Sequence, residues 1–166
     1  MSEVPEPDPD PAYRRNVGIM LLDAEGRVWV GKRIGMAEGG WQMPQGGIDA
    51  GEEPQAAAVR ELHEEIGTDK AQILFATEGW LLYDVPADLA KERRWHGKWR
   101  GQAQRWYAMR FTGTDKDIDI ATEHPEFDEW RWARRDELVG LIVPFKRKVY
   151  EAVVAEFEPK LRGMGM

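Results

Sequence analysis

Apolar runs separated by turn signals mark the first half of the chain. Residues 16–22 are mostly apolar and end in the turn sequence 23–26, and residues 27–33 form a second run with an apolar centre. This order predicts a β-hairpin. Residues 112–124 are polar and acidic, which predicts a surface loop. Shorter apolar runs predict further strands or strand ends at 41–44, 72–76, 79–85, 104–111 and 129–132.

The first predicted helix covers residues 54–67 and has two chemically different sides. It opens on a proline, which the first turn of a helix tolerates, and it ends at a glycine, which commonly closes one. With Glu61 as the origin and about 100° per residue, Val59, Leu62 and Ile66 lie within an arc of roughly 100° to 160°. We expect this apolar side to anchor the helix.

The last predicted helix runs from about Pro144 to Leu161. Lys146, Arg147 and Lys148 crowd its first turn, where the positive end of the helix dipole prefers anions. Bound phosphate would compensate for this arrangement, and three solvated cations are the alternative. A shorter helix is predicted at 134–138. The apolar residues of the last helix recur at helical spacing and predict a stripe that packs on the sheet: Phe145, Val149, Ala152, Val153 and Phe157.

The composition indicates a single soluble globular domain. The chain has 166 residues, 42% of them hydrophobic and 32% charged. No apolar run approaches the roughly 20 residues that span a bilayer. Residues 1–12 are acidic and proline-rich, so we expect a flexible leader and not a secretory signal. We expect one domain at 13–160 and a tail at 161–166. The absence of cysteine is compatible with a cytoplasmic location, which we expect.

The net charge of −7 argues against broad, nonspecific binding of nucleic acid, which needs a positive surface field. A local basic patch is still compatible with this charge. Residues 86–102, predicted to be mostly loop, combine lysine and arginine with Trp95 and Trp99. These residues are either solvated loop charges or a guide for a nucleotide chain. We expect core packing to account for most of the eight tryptophans, with base stacking as the alternative.

Three glutamates of the first helix, Glu61, Glu64 and Glu65, stand at i, i+3 and i+4. They share one face, because Glu64 lies near −60° and Glu65 near +40°, at about 100° per residue. Like charges at this spacing destabilise a helix by roughly a few tenths of a kcal/mol. Mg²⁺ is usually held by one or two carboxylates together with substrate phosphates and water. A phosphate-cleaving metal site would therefore explain the cluster, and a solvated acidic face is the alternative.

The residues around these glutamates form a long and specific motif. From Gly46 the chain fits the pattern G-x5-E-x7-R-E-U-x-E-E-x-G-U, where U is an aliphatic residue, with Glu52, Arg60 and Gly67 in register. The pattern resembles the Nudix box. Only its last position departs, because Thr68 replaces the usual aliphatic residue. This change affects packing after the helix and leaves the acidic positions intact.

The resemblance extends well beyond this motif. Residues 13–18, 41–47, 125–132 and 144–150 are similar to the branch of the Nudix superfamily that contains bacterial RNA pyrophosphohydrolases and dinucleoside polyphosphate hydrolases. The similarity covers most of residues 13–157. It implies an α/β (α+β) Nudix fold, in which a mixed β-sheet is sandwiched between α-helices. It also implies Mg²⁺-dependent cleavage of a pyrophosphate bond, with Mn²⁺ or another divalent metal as a substitute.

The same resemblance implies roles for individual residues. Glu61 and Glu65 would bind the metal directly, Glu64 directly or through water, and the carbonyl of Gly46 would add a ligand. Glu126 matches a downstream glutamate that acts as a metal ligand or base. Arg60 would hold the loop by pairing with Glu52, and His63 has no predicted role. The residues expected to contact substrate are Arg14, Gln104 and Lys146 for phosphate, and Arg33, Val143 and Phe145 for a base.

Three functions remain open from the sequence. The first is conversion of 5′-triphosphate or 5′-diphosphate RNA ends to 5′-monophosphate, and the second is asymmetric hydrolysis of diadenosine tetraphosphate. Both substrates join a polyphosphate to a nucleoside, so the motifs do not separate them. The third is a catalytically silent nucleotide-binding module, which the four intact glutamates argue against. We expect no membrane contact and no stable protein partner.

Overall fold

The computed structural model describes residues 8–36, 40–86 and 98–166. Most of the predicted leader, residues 1–7, lies outside the described residues, as do residues 37–39 and the predicted loop residues 87–97 with Trp95. The strands are β1 (Tyr13–Leu22), β2 (Val28–Arg33), β3 (Trp41–Gln42), β4 (Gln45–Gly47), β5 (Ala71–Ala76), β6 (Leu81–Asp84), β7 (Gly101–Phe111) and β8 (Phe127–Ala133). The α-helices are α1 (Pro54–Ile66), α2 (Leu138–Leu141) and α3 (Arg147–Gly163), and short 3₁₀ turns lie at Asp115–Asp117, Arg135–Glu137 and Pro144–Lys146.

The strands form one mixed sheet with the central order β3-β2-β1-β7-β5. β1 and β7 are parallel and pair along ten residues, whereas the other pairings are antiparallel. β4 pairs with β1, β6 with β7 and β8 with β2. The predicted hairpin is confirmed, although β1 and β2 pair only at Leu22 and Val28 before β2 turns to β8. This divergence leaves room for β4 beside β1.

Helices cover both faces of the sheet, as predicted. Alternate residues of a strand point to opposite faces, so Met20 and Leu22 join a core cluster with α3, while Ile19 and Leu21 join a second cluster with α1. In the first cluster α3 contributes Val149, Val153, Phe157 and Leu161, and in the second α1 contributes Ala57, Ala58, Leu62 and Ile66. No helix among the described residues is long and apolar enough to cross a membrane.

Several predicted boundaries shift because pairing and packing extend them. Gln45–Gly47, which follows the strand end predicted at 41–44, is the strand β4 and hydrogen-bonds to β1. The last helix continues to Gly163, two residues past its predicted end. Leu161, placed in the predicted tail, is fully buried. α1 ends as predicted, because Gly67 adopts a left-handed conformation with φ of 77° and donates to the carbonyl of His63.

A buried hydrogen bond ties α3 to the chain that enters β4. The backbone N–H of Met43 donates to the hydroxyl of Tyr150 at 2.9 Å, and both residues are at most 2% exposed. Burial raises the pKa of Tyr150 far above its usual range, so the hydroxyl stays protonated. This bond fixes the position of the segment that precedes β4.

We expect Tyr150→Phe to lower the free energy of unfolding by about 1–3 kcal/mol, because the N–H of Met43 would be buried without an acceptor. Thermal unfolding should show a drop of about 2–4 °C per kcal/mol. The matched control is Tyr13→Phe, whose hydroxyl donates to the exposed carboxylate of Asp84 and whose loss water can compensate. Equal unfolding temperatures for the Tyr150→Phe protein and the wild type would contradict this role.

Candidate active site

An open, mostly polar cleft of about 1200 Å³ lies between α1, β4 and the segment that leads into β8. It brings together residues that are far apart in the chain, because β4 and the start of β1 form one wall and α1 another. Seven of the predicted site residues line the cleft: Arg14, Arg33, Gly46, Glu61, Glu64, Glu65 and Glu126. The four predicted catalytic carboxylates therefore share one cavity.

The buried side of α1 includes two of its glutamates. The side chain of Glu61 is 13% exposed and Glu65 is 8% exposed, whereas the side chain of Glu64 is 58% exposed. The predicted apolar anchor is confirmed for Leu62 and Ile66, which pack in the core, although the helix also buries much of Glu61 and Glu65 on its acidic side. Val59, predicted to anchor the helix, is 39% exposed. Ala57 and Ala58 pack in the core instead, because the helix turns Glu61 and Glu65 towards β4.

β4 lies in direct contact with the carboxylates of α1. The backbone N–H of Gln45 donates to Glu65 Oε2 at 3.1 Å. A β-carbon at Gly46 would overlap the carboxyl group of Glu61, and one at Gly47 would overlap the guanidinium of Arg14. Glycine is required at both positions because side chains from α1 and β1 occupy the space that a β-carbon needs.

Arg60 joins the loop between β4 and α1 to the acidic face of α1. Its Nε and Nη2 donate to the two carboxylate oxygens of Glu52, each at 2.9 Å, and Nη2 also donates to the carbonyl of Gly47 at 2.9 Å. Nη1 donates to Glu61 at 2.9 Å and to Glu64 at 3.1 Å. The predicted pairing of Arg60 with Glu52 is confirmed, and the same guanidinium also neutralises two of the clustered glutamates.

Burial and like charge raise the pKa of two carboxyl groups in this network, whereas hydrogen bonds from Arg60 lower the pKa of a third. Burial raises the pKa of Glu61 to about 7, in spite of the nearby Arg60. The pKa of Glu65 is raised well above its usual range, first by burial and then by the charges of Glu61 and Glu126. The pKa of Glu52 falls to about 2 because Arg60 donates hydrogen bonds to its ionised form.

The donor chemistry of the cleft fits a hard divalent cation. Glu61, Glu65 and Glu126 offer carboxylate oxygens, the ligands that Mg²⁺ prefers. Besides burial, the charges of Glu61 and Glu126 raise the pKa of Glu65, and a bound cation would balance these charges. In the described parts of the chain, no three acidic or histidine side chains stand close enough to surround an ion. Arg60 holds one oxygen each of Glu61 and Glu64, so those carboxylates would have to turn to reach a shared ion.

Gln104 does not line the cleft, contrary to its predicted contact with phosphate. It is 1% exposed, and its amide nitrogen donates to Asn16 at 2.9 Å and to Gln45 at 3.0 Å. Its amide oxygen accepts from the indole of Trp106 at 3.0 Å. Because Asn16 and Gln45 both line the cleft, Gln104 supports its wall from behind.

Val143, Phe145 and Lys146 also lie away from the described cleft lining. Val143 and Phe145 pack against the core cluster that contains α3. Lys146 is 2% exposed, and its Nζ lies 5.7 Å from the ring centroid of Tyr83 and 5.9 Å from that of Phe145. The alternative of a solvated cation is therefore wrong for Lys146, because the aromatic rings enclose its side chain. A direct contact with substrate stays a prediction for these three residues.

The structure adds residues to the cleft that the sequence did not indicate. His63, which had no predicted role, lines it, and so do Asp119 and His124 from the segment predicted to be a plain surface loop. The backbone of Asp119 donates to the carbonyl of Ile66 at 2.8 Å, which docks this segment against the end of α1. Trp99, one of the two tryptophans in the predicted basic loop, also lines the cleft, and the guanidinium of Arg14 lies 5.9 Å from its ring centroid.

The comparisons with known proteins agree with this geometry. The profile of the NUDIX domain family matches residues 12–153. An RNA pyrophosphohydrolase of Rhodospirillum rubrum is 60% identical over 144 residues, which cover 87% of this chain and 86% of that protein. An RNA pyrophosphohydrolase of Rickettsia rickettsii is 54% identical over 149 residues, which cover 90% of this chain and 92% of that protein.

Solved structures show the same fold at low sequence identity. A complex of the Ap4A hydrolase of C. elegans superposes with a TM-score of 0.61 at 15% identity, covering 89% of this chain and 98% of that one. The dihydroneopterin triphosphate pyrophosphohydrolase of E. coli gives a TM-score of 0.62 at 15% identity, covering 87% and 98%. At this identity the likeness concerns the fold alone.

We expect Glu52→Gln to remove a pH-dependent part of the stability. The pKa of Glu52 is lower in the folded protein, so the stability it contributes is present above its usual pKa of 4.5 and is lost as the pH falls towards 2. Allowing for solvent screening, the substitution should cost on the order of 1–2 kcal/mol at pH 7 and little near pH 2. Urea unfolding across this pH range measures the difference.

The matched control is Glu25→Gln, since Glu25 also pairs with an arginine but its side chain is 70% exposed. Its substitution should change stability by less than about 0.5 kcal/mol at either pH. A constant difference between the Glu52→Gln protein and the wild type at all pH values would show that the Arg60 pair is not the cause.

Proposed function

The chain belongs to the NUDIX domain family and is a hydrolase of phosphoric anhydride bonds, and from this premise we propose that it is an RNA pyrophosphohydrolase. It converts the 5′-triphosphate or 5′-diphosphate end of RNA to a 5′-monophosphate. Water attacks a phosphorus atom of the polyphosphate, one anhydride bond breaks, and pyrophosphate or phosphate leaves. The observation that carries the proposal is 60% identity to a relative of that name across 86% of its length.

We propose Mg²⁺ as the metal ion, with Mn²⁺ as a substitute. A bound divalent ion would neutralise charge on the polyphosphate and lower the pKa of the attacking water. The residues that would hold it are Glu61, Glu64 and Glu65 with the carbonyl of Gly46. This assignment is supported by their common cleft and by the contact between Gly46 and the carboxyl group of Glu61.

The remaining residues of the cleft would bind the polyphosphate and move a proton. Arg14 and Arg33 line the cleft and carry the positive charge that phosphate oxygens require. Glu126 approaches from the chain before β8, and we assign to it the transfer of a proton from the attacking water, because α1 already holds the other three glutamates. The charge of Glu126 is one of the causes that raise the pKa of Glu65, which supports a position of Glu126 beside the metal.

Among the described residues that line the cleft, Trp99 offers an aromatic ring on which a nucleotide base would stack. It lies beside Arg14, so a base on the ring would keep its own 5′-phosphates near that guanidinium. This arrangement suits any polyphosphate joined to a nucleoside. The proposal that RNA is the substrate therefore rests on the similarity to RNA pyrophosphohydrolases and not on the cleft alone.

We expect Glu65→Gln to lower kcat on 5′-triphosphorylated RNA by on the order of 10³-fold or more, the scale for loss of a key electrostatic group. The fold should survive, because burial already penalises the ionised form of Glu65. Stability at pH 8 should be equal to that of the wild type or slightly higher, measured by thermal unfolding. The control is Glu53→Gln, a change at the N-terminal end of α1 outside the cleft lining. A rate unchanged from that of the wild type would remove Glu65 from the reaction.

The substrate is tested by incubating the protein with Mg²⁺ and either 5′-triphosphorylated RNA or diadenosine tetraphosphate. We expect a higher kcat/KM for RNA, with pyrophosphate or phosphate as the product. A higher kcat/KM for diadenosine tetraphosphate would assign the protein to dinucleoside polyphosphates. Product from neither substrate, with a folded protein and bound metal, would leave only the silent nucleotide-binding module.

A further inference from the structure

A second surface of the sheet combines arginines with an aromatic ring outside the cleft. Arg15 of β1 aligns with Ala103 of β7, and Ala103 aligns with Leu82 of β6, so these residues share one face. Arg105, two residues beyond Ala103 on β7, shares that face, and Trp80 stands directly before β6. We call Arg15, Trp80, Leu82 and Arg105 the arginine platform.

The two guanidinium groups of the platform both contact one indole ring. Their central carbons lie 5.6 Å and 6.0 Å from the ring centroid of Trp80, for Arg15 and Arg105 respectively. The ring attracts each cation and fixes its orientation, whereas the two like charges repel each other. Leu82 is 43% exposed beside them. An anion that binds both guanidinium groups would relieve the repulsion.

Acidic side chains compensate for Arg15 only weakly within the described chain. Its ion pair there is with Asp8, at 4.0 Å and with an Asp8 side chain that is 83% exposed. By contrast, Arg135 meets Glu158 at 2.7 Å. The Nε of Arg15 is buried and has no hydrogen-bond acceptor among residues 8–36, 40–86 and 98–166. The described residues therefore leave most of the positive charge of Arg15 uncompensated, although the protein as a whole carries a net charge of −7.

The platform begins one residue from the wall of the cleft. Arg14 lines the cleft, and because successive residues of a strand point to opposite faces, Arg15 points away from Arg14. The rim between them is the end of β4, where the N–H of Ile48 donates to the carbonyl of Arg15 at 3.1 Å. A polynucleotide with its 5′ end in the cleft can reach the platform by passing over this rim.

We propose that the arginine platform binds single-stranded RNA downstream of the 5′ end, an inference that rests on the proposed function. The planar guanidinium forks of Arg15 and Arg105 bind backbone phosphates, and their faces with Leu82 give the bases a surface to stack on. Trp80 orients both arginines. Longer RNA thus gains contacts that a dinucleotide cannot make, and the enzyme favours polynucleotide ends over free nucleotides.

The test compares two triphosphorylated substrates, a dinucleotide and an unstructured RNA of about twelve nucleotides, which is within the range of a single-strand binding site. In the Arg15→Ala, Arg105→Ala double variant, we expect KM for the longer RNA to rise on the order of tenfold. We expect kcat on both substrates and KM for the dinucleotide to stay at wild-type values. The salt dependence of KM for the longer RNA should also become shallower, since fewer phosphates are neutralised.

The matched control is the Arg134→Ala, Arg162→Ala double variant. It removes the same charge from side chains that are each 75% exposed and that lie outside the platform. We expect it to leave KM for both substrates unchanged. If the alanine variant of the platform does not fold, the Arg15→Lys, Arg105→Lys double variant replaces it. This variant keeps the charge and loses the planar guanidinium fork. We expect its KM for the longer RNA to be higher than that of the wild type and to rise less than about tenfold.

A binding measurement separates this inference from the proposed function. Fluorescence anisotropy of a 5′-hydroxyl RNA, which has no polyphosphate to cleave, should show weaker binding to the Arg15→Ala, Arg105→Ala variant by on the order of tenfold. Unchanged binding, or an equal rise in KM for dinucleotide and longer RNA, would overturn the platform. A polyglutamate peptide that competes as well as RNA of equal charge would overturn it in favour of an acidic protein partner. Failure of the wild type to cleave any triphosphate end would instead overturn the proposed function.

Discussion

The guanidinium of Arg60 is the interaction on which the candidate site depends. Two carboxylates of α1 are largely buried beside a third, and such a cluster is unfavourable without a positive charge close by. Arg60 supplies that charge, and through Glu52 and the carbonyl of Gly47 it also holds the loop between β4 and α1. One side chain therefore couples the shape of the loop to the charge balance of the helix.

The sheet presents this site and a second surface from the same strand. Because successive residues of β1 point to opposite faces, Arg14 enters the cleft while Arg15 joins Trp80 on the other side. The parallel pairing of β1 with β7 brings Arg105 beside Arg15, although 90 residues separate them in the chain. The proposed path of RNA from the cleft to the platform follows from this alternation.

The sequence motifs predicted many of the residues that line the cleft, but they did not predict the burial of Gln104 and Lys146. Gly46, the three glutamates of α1 and Glu126, to which the resemblance gave roles, all line one cavity. Gln104 and Lys146 were predicted to meet phosphate, but each is at most 2% exposed. Both are polar residues that other side chains enclose, and spacing along the chain carries no information about such enclosure. Val59 shows the same limit for helix α1, where alanines and not the larger valine face the core.

The sequence by itself determined which elements form and which chemistry they carry. Local patterns suffice for this, because turn residues, helical spacing and a charge cluster on one face act over a few residues. The tertiary structure decided which carboxylates are buried, which arginine balances them and which strand faces the substrate. These outcomes depend on the divergence of β2 from β1, which admits β4 beside β1 and brings Gly46 against α1. Contacts of this kind join residues that no local pattern relates, so their geometry becomes visible only when the chain is folded.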